Sequence, residues 1–439
     1  MKVFLKKARA RTTFSVLDPV KVEPLELAYL KAAAEEAGAE AYIVDDLFGL
    51  NEPDTVPDIV VLTGYNTAER RIIEDARSYK ARFPKVSVII GGTHVERNSR
   101  DFHSPHVDFV VHSPDLLLFM DILRFIGGNL KELTPSGFDM QKDGRWIIGQ
   151  ERPVKKMSPI RPDRSLTDAV IGLTRYLDKG RVALVKGRTG CPYKCDFCYC
   201  RLINDGIHIK GSYGAMLDEA SAIDSDHIWI VDDIFLSSRK DAMEFIEAAE
   251  GRVLKPNLIA YLRADFILNN RDLFCKLKEC GLSEVIVGFE ATDNSELDAY
   301  NKQTDALDYP DCVRTLRECG IDLTALFMVS PDYSISDFRR LARFLRENRI
   351  DTYTVSIHTP IKGTNGYEEM KDRLITDDPE RFDFLHLVTK PKLPAPVFYM
   401  MFIWLHIGLL KSGRIRSFIR QSLMGKKTGR KMTMTETND

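Results

Sequence analysis

Residues 188–200 read Arg188-Thr189-Gly190-Cys191-Pro192-Tyr193-Lys194-Cys195-Asp196-Phe197-Cys198-Tyr199-Cys200. Within this stretch Cys191, Cys195 and Cys198 form a C-x3-C-x2-C triplet on a loop containing glycine and proline. Three thiolates at this spacing can hold three irons of a [4Fe–4S] cube and leave the fourth iron free for a small molecule. A structural zinc site needs four ligands, usually as two paired groups. No second Cys or His pair with that spacing accompanies the triplet. The cluster is the better reading.

The rest of the chain is consistent with a protein built around such a loop. Its 439 residues suit two or three domains. A hydrophobic content of 44% and a charged content of 29% are ordinary for a globular chain. The formal net charge of −2 gives no reason to expect a nucleic-acid partner. All eight cysteines lie between Cys191 and Cys319, and the chain opens Met1-Lys-Val-Phe-Leu, as a strand and not as a secretory signal. Both features predict a cytoplasmic, reducing setting.

Outward toward the N-terminus, residues 1–130 alternate two periodicities. Apolar strand runs fall at 2–5, 41–44, 58–62, 86–90 and 107–111, with helical runs at 24–37 and 68–83. This predicts a doubly wound parallel α/β sheet, whose ligands sit beyond the carboxyl ends of the strands. Those ends carry Asp45-Asp46, Thr63-Gly64-Tyr65-Asn66, Gly91-Gly92-Thr93-His94 and His112-Ser113-Pro114. Gly91-Gly92 is either a plain turn or a close approach of backbone to ligand. Residues 131–182, rich in Gly, Pro, Lys and Asp, read as a linker with a small hairpin at Arg145-Trp-Ile-Ile.

From 183 to 375 six strand candidates recur, at 183–186, 228–231, 258–262, 285–289, 323–328 and 353–357, with helical runs between them. A repeat of this kind predicts a partial (β/α)6 barrel with its site at the strand carboxyl ends. The cysteine loop follows the first strand at that end. Cys275 with Cys280, and Cys312 with Cys319, read as small buried or half-buried thiols on helices. Cys200 is the one spare thiol near the triplet.

C-x3-C-x-aromatic-C, with Phe197 as the aromatic, resembles the signature of the radical S-adenosylmethionine (SAM) enzymes. Pro24-Leu-Glu-Leu-Ala-Tyr-Leu, Pro57-Asp-Ile-Val-Val and Val88-Ile-Ile-Gly-Gly-Thr-His resemble, in order, the Rossmann-like cobalamin-binding domain that precedes the radical SAM domain in one large subgroup. The resemblance spans residues 1 to about 375. It implies a [4Fe–4S] cluster, SAM and cobalamin as cofactors, and an electron donor such as flavodoxin or ferredoxin. The open iron would chelate SAM and cleave it to methionine and a 5′-deoxyadenosyl radical.

The resemblance also implies residue roles. Asp232 and Asp233 would hold the SAM amino group, or alternatively cap a helix. Arg263 would pair with the methionyl carboxylate or with Asp265. Glu290, in Gly288-Phe-Glu290, would accept from the ribose, while Phe197 and Met328 would border SAM or simply pack. His358, in His358-Thr-Pro-Ile-Lys-Gly-Thr364, would face substrate or serve the fold. Thr63, Gly64, Tyr65, Asn66, Gly91, Gly92, Thr93, His94 and Ser113 would line the cobalamin, with His94 beside the corrin and not on the cobalt. The chain departs from the subgroup in two places. It has no D-x-H-x-x-G motif to supply a lower cobalt ligand, and His112-Ser-Pro-Asp115 stands where Gly-Glu-Gly-Glu is common.

The function implied is a cobalamin-dependent C-methyltransferase acting on an unactivated carbon of a hydrophobic small molecule or lipid. A radical cyclase, ring-remodelling or oxidative enzyme is the alternative, and a corrinoid- or cluster-binding sensor is the non-enzyme one. Residues 376–439 form a C-terminal extension. Its apolar run 396–410 is followed by Lys411, Arg414, Arg416, Arg420, Lys426, Lys427, Arg430 and Lys431. The run is shorter than the ~20 residues that span a bilayer. It predicts either a helix packed on the barrel or peripheral contact through 396–431 with the inner face of a membrane. Residues 425–439 are expected to be disordered.

Overall fold

The computed structural model describes residues 1–10 and 19–420. The first sheet is built from β1 (Lys2–Lys7), β3 (Glu40–Val44), β4 (Ile59–Thr63), β5 (Ser87–Gly91), β6 (Phe109–Val111), β7 (Phe138–Lys142) and β8 (Arg145–Ile147), in the order β3-β1-β4-β5-β6-β7-β8. The first five of these are parallel. Every residue of β4 is buried, as expected where helices cover both faces of a sheet. Leu27 and Ile122, from helices Leu25–Glu36 and Leu116–Ile126, close one face. Ile72, Ala76 and Tyr79 of helix Glu69–Arg82 close the other. The strand order reverses between β1 and β4, which opens a crevice at their carboxyl ends.

The hairpin that the sequence places in the linker is part of this sheet. β7 pairs antiparallel with β6, and β8 with β7. Phe138 supplies the reason: it is fully buried, its ring 6.0 Å from that of Phe109. The linker proper is therefore shorter, and it is ordered where β9 (Arg175–Tyr176) pairs with both β2 (Val20–Lys21) and β10 (Lys179–Gly180).

The second sheet holds β11 (Val182–Val185), β14 (His227–Ile230), β15 (Asn257–Leu262), β16 (Leu282–Glu290), β17 (Asp322–Val329) and β18 (Tyr353–Ile357), parallel and in consecutive order. This is an open six-stranded partial barrel. A small hairpin, β12 (Arg188–Thr189) with β13 (Ile209–Lys210), rises from the end of β11 and carries the cysteine loop between its arms.

One cysteine expectation is corrected. Cys275 and Cys319 are joined in a disulfide, Cα atoms 4.8 Å apart, because helices Phe274–Glu279 and Tyr309–Glu318 bring them together across 44 residues of sequence. Cys280 and Cys312 are free thiols, Cys312 fully buried.

Helix Ala395–Ile407 packs on helix Ile335–Glu347, with the Phe398 ring meeting Phe338 at 5.3 Å. Arg414, further along, forms a bidentate pair with buried Glu284 at the start of β16. Lys426, Lys427, Arg430 and Lys431, and the expectation of disorder over 425–439, lie outside the described residues. Among the described residues no single helix is long and apolar enough to cross a membrane.

Candidate active site

The cysteine loop is anchored at its base. Arg188 is 1% exposed; its Nη1 lies 3.1 Å from Asp241 Oδ2, and its Nη2 donates to the Tyr213 hydroxyl. Gly190 has φ +75°, and a Cβ there would stand 3.0 Å from the Ile207 carbonyl oxygen, so glycine precedes Cys191 for room as well as for backbone angle. Cys198 N–H donates to the Cys195 carbonyl at 3.2 Å and closes the turn. Cys195 is buried, Cys191 and Cys198 are half-buried, and each of the three sulfurs lies in the field of the others. Among the described residues no three His, Cys, Asp or Glu side chains converge on a position for one ion. In an iron–sulfur core each thiolate would meet a different iron, so the three thiols need not converge on one ion.

A second segment grips this loop. Asp196 N–H donates to the Tyr300 carbonyl at 3.1 Å, and Asn301 Nδ2 to the Lys194 carbonyl at 3.0 Å. The Phe197 ring meets Tyr300 edge-on at 5.6 Å. Arg263 ties the two together. Its Nη2 donates to the Lys302 carbonyl at 2.6 Å, its Nη1 reaches Cys195 Sγ at 3.7 Å, and the guanidinium lies 4.0 Å from the Tyr193 ring centroid. Arg263 also pairs with Asp265, Nε to Oδ1 at 3.0 Å. Lys302 Nζ lies 2.9 Å from Glu290 Oε1, both side chains being buried. Glu290, Asn301 and Gln303 all take positive φ, from +51° to +67°. Tyr300, Asn301 and Lys302 are missed by sequence reasoning, since a polar loop after a short helix carries no periodic or spacing signal.

At the end of β14, Asp232 Oδ1 accepts from the N–H groups of Gly187 and Arg188 at 2.7 and 2.8 Å. Its Oδ2 is buried without a partner among the described residues, as is Asp233 Oδ2. Burial pushes the Asp232 carboxyl up to about 7. Neither acid caps a helix, because the next one, Arg239–Ala249, is capped by Ser238. Two orphaned carboxylate oxygens beside three thiols fit a cluster that carries a ligand with an ammonium group. Cys200 shares a hydrogen bond with Cys198 and also contacts Asp233; that bond holds the Cys198 thiol below its ordinary pKa and pushes the Cys200 thiol above it. Met328 and Phe327 are buried in the barrel core, with Phe327 stacked on Phe289. The His358 ring lies 5.1 Å from Tyr300, and burial pushes its pKa down to about 4.

On the facing domain, Thr63-Asn66 and Gly91-His94 lie side by side at the ends of β4 and β5. Tyr65 is 65% exposed, and Gly92 and Thr93 are exposed. Gly92 has φ +118°, and a Cβ there would lie 2.6 Å from Thr63 Oγ1, so the two loops touch through that glycine. This open strand-end surface, with glycines at its centre, fits a flat ring laid against it. His94 does not offer it a nitrogen. It is 5% exposed, its Nε2 lies 2.9 Å from Glu69 Oε2, and its Nδ1 lies 3.4 Å from Asn98 Nδ2. The Ser113 hydroxyl donates to the Arg152 carbonyl at 2.6 Å, and the Asn66 side-chain amide to the Phe382 carbonyl at 3.0 Å.

The two domains meet through these loops. Tyr199 O–H donates to the Thr93 carbonyl at 2.8 Å, Arg97 Nη2 pairs with Asp205 at 2.8 Å, and the Glu96 carboxylate accepts from Asn204 N–H at 3.0 Å. Sequence reasoning also missed Glu96, whose carboxyl burial pushes up to about 7.

A thiol triplet on the loop after the first strand of a parallel partial barrel, with orphaned acids at the next strand end, defines a radical SAM domain. Residues 186–345 match the Radical SAM superfamily model, and the chemistry of that superfamily uses a [4Fe–4S] cluster and SAM. The chain is 23% identical over 402 residues to the hopanoid C-3 methylase of Methylococcus capsulatus, covering 87% of this chain and 75% of that protein. It is 22% identical over 395 residues to the anaerobic magnesium-protoporphyrin IX monomethyl ester cyclase of Cereibacter sphaeroides, covering 84% of this chain and 64% of that protein. Its fold matches that of TsrM, a radical SAM methyltransferase from Kitasatospora setae, with a TM-score of 0.69 at 14% identity over 92% of this chain and 88% of that one.

Proposed function

We propose that the protein is a cobalamin-dependent radical SAM enzyme that methylates an unactivated carbon of a hydrophobic substrate, a lipid, tetrapyrrole or natural product. The observation that carries this reading is the apposition of the cysteine loop and the open strand-end surface, bridged by the Tyr199–Thr93 hydrogen bond at 2.8 Å. The methylase relative supports the class of reaction. With the groups bound, the cluster and SAM supply one-electron chemistry at carbon and the corrinoid supplies the methyl group.

The chain's own residues hold and orient. Cys191, Cys195 and Cys198 bind iron. The free Oδ2 atoms of Asp232 and Asp233 accept from the SAM ammonium. Lys302 and Arg263 brace the cysteine loop. Tyr65, Gly91, Gly92 and Thr93 border the corrin. His94 is held by Glu69 and would not reach a cobalt ion. An electron donor such as flavodoxin or ferredoxin would supply the cluster's electron, and the described part of the 396–431 segment, residues 396–420, makes peripheral contact with the inner face of a membrane.

The cyclase relative supports a second reading, in which both cofactors are kept and no methyl group moves. The test is anaerobic reconstitution with iron, sulfide and hydroxocobalamin, followed by reductant and SAM. Bound corrinoid with both 5′-deoxyadenosine and S-adenosylhomocysteine supports the methylase. Deoxyadenosine alone, once lipid and tetrapyrrole substrates have been supplied, supports the cyclase. No SAM cleavage, with a Cys198→Ala protein behaving identically, removes both.

A further inference from the structure

Helix Ala395–Ile407 carries two apolar faces, and the protein uses one of them. Phe398, Met401, Phe402 and Leu405 are buried against the barrel, and Tyr353 O–H donates to the Leu405 carbonyl at 2.7 Å. The other face stays in solvent. Met400, Ile403, Trp404 and Ile407 are 58%, 58%, 44% and 56% exposed, and Leu410 on the next turn is 51% exposed. Spacings of three and four residues set them in one stripe along the helix. Single exposed apolar side chains are ordinary, but an aligned run of five is an interaction surface.

Position and charge say what covers it. The helix lies lengthwise along the barrel. Near its start the Tyr399 hydroxyl accepts from Leu387 N–H, and Lys392 N–H donates to the Pro331 carbonyl just beyond β17, at the site end. Past its end Arg414 is fastened to Glu284 at the opposite end of the strands. The exposed cations Lys411, Arg416 and Arg420 follow directly, and the sequence has no Asp or Glu from residue 384 to residue 435. The segments Ala395–Lys411 and Gly413–Arg420 meet at 88°, and neither alone is long enough to span. With its inner face held against the barrel, the helix can offer a bilayer only its outer stripe, lying along the interface plane. A second copy of the chain, docked by a twofold on the same stripe, would bring Lys411, Arg416 and Arg420 of both copies together, with no acid on the same segment to separate them.

We propose that Met400, Ile403, Trp404, Ile407 and Leu410 form a docking face for an anionic lipid bilayer. They seat in the headgroup–acyl boundary while Lys411, Arg416 and Arg420 meet lipid phosphates. The inference rests on the peripheral contact proposed above and gives that contact a face and a headgroup chemistry. Its test has no catalytic readout, so it and the methylase reading can fail separately.

The full-length protein, reconstituted with iron and sulfide, is sedimented with phosphatidylcholine vesicles and with vesicles that also contain phosphatidylglycerol, following tryptophan fluorescence. Binding to the anionic vesicles, weakened by salt and accompanied by a blue shift lost in Trp404→Ala, is expected. Ile403→Glu/Ile407→Glu and, separately, Lys411→Glu/Arg416→Glu/Arg420→Glu should each weaken partition roughly tenfold or more, with iron content and circular dichroism unchanged. Absence of binding to either vesicle overturns the proposal, as does equal binding by the Ile403→Glu/Ile407→Glu protein. A concentration-dependent dimer abolished by that same variant, without vesicle binding, assigns the face to a second copy instead.

Discussion

Lys302 Nζ and Glu290 Oε1 stand 2.9 Å apart, their side chains 7% and 11% exposed, and Lys302 lies in the field of both Cys195 and Cys198. The pair forms the floor of the clamp on the cysteine loop. Its two charges compensate each other's desolvation only while both are present.

Lys302→Met should therefore cost about 3–5 kcal/mol of stability in urea unfolding of the metal-free protein, because it strands a buried carboxylate. Adding Glu290→Gln should recover most of the loss. A single variant no less stable than the double one would show that the pair is not the unit.

Asp232→Asn keeps an oxygen for the Gly187 and Arg188 N–H groups and removes the charge. Iron content should be unchanged, while SAM binding in equilibrium dialysis of the reconstituted protein weakens roughly tenfold or more, the worth of a charge-assisted hydrogen bond. Undiminished SAM affinity would detach Asp232 from the ammonium.

Glu96 sets a pH dependence at the domain junction. Its folded pKa of about 7 lies above the ordinary 4.5, so its contribution is complete below the lower value and is lost as pH rises through the higher one. Glu96→Gln keeps an acceptor for Asn204 and never ionises. The variant should nearly match the parent near pH 4.5 and exceed it by about 3 kcal/mol near pH 8. Parallel stability–pH curves for the two proteins would refute this.

Arg414→Met removes a bidentate partner, at 2.9 and 3.0 Å, from fully buried Glu284. Lys179 at 3.3 Å and the Thr324 hydroxyl remain, so the expected loss is about 3 kcal/mol. Faster limited proteolysis after residue 394 should accompany it. Arg414→Lys should restore only part, since lysine cannot form the fork.

Much of the framework was legible in the chain. Five of the six barrel strands lie within one residue of their expected limits and β16 starts three residues early, at Leu282, because a buried parallel strand is a mostly apolar run whose polar start, Ser283-Glu284, carries no such signal. The cysteine loop was legible for a similar reason: ligand spacing is local. The site was legible only in part. Asp232 and Arg263 announce themselves at strand ends, but Lys302, Tyr300 and Glu96 sit in polar loops that look like any other surface turn. His94 and Ser113 occupy the predicted loops, yet their polar atoms turn to Glu69 and to the Arg152 carbonyl.

Residue order alone thus settled the thiol triplet, the two α/β repeats and the apolar helix before the basic tail. All of these are written in near-neighbour spacing, and near-neighbour geometry is set by the backbone. Folding decided which distant groups share a desolvated space. It placed the 138–147 hairpin on the first sheet, joined Cys275 to Cys319, paired Glu290 with Lys302, and left one face of helix Ala395–Ile407 uncovered. Those outcomes depend on packing between segments far apart in the chain, where burial raises the stakes of every unpaired charge and apolar face, and no local pattern encodes the partner.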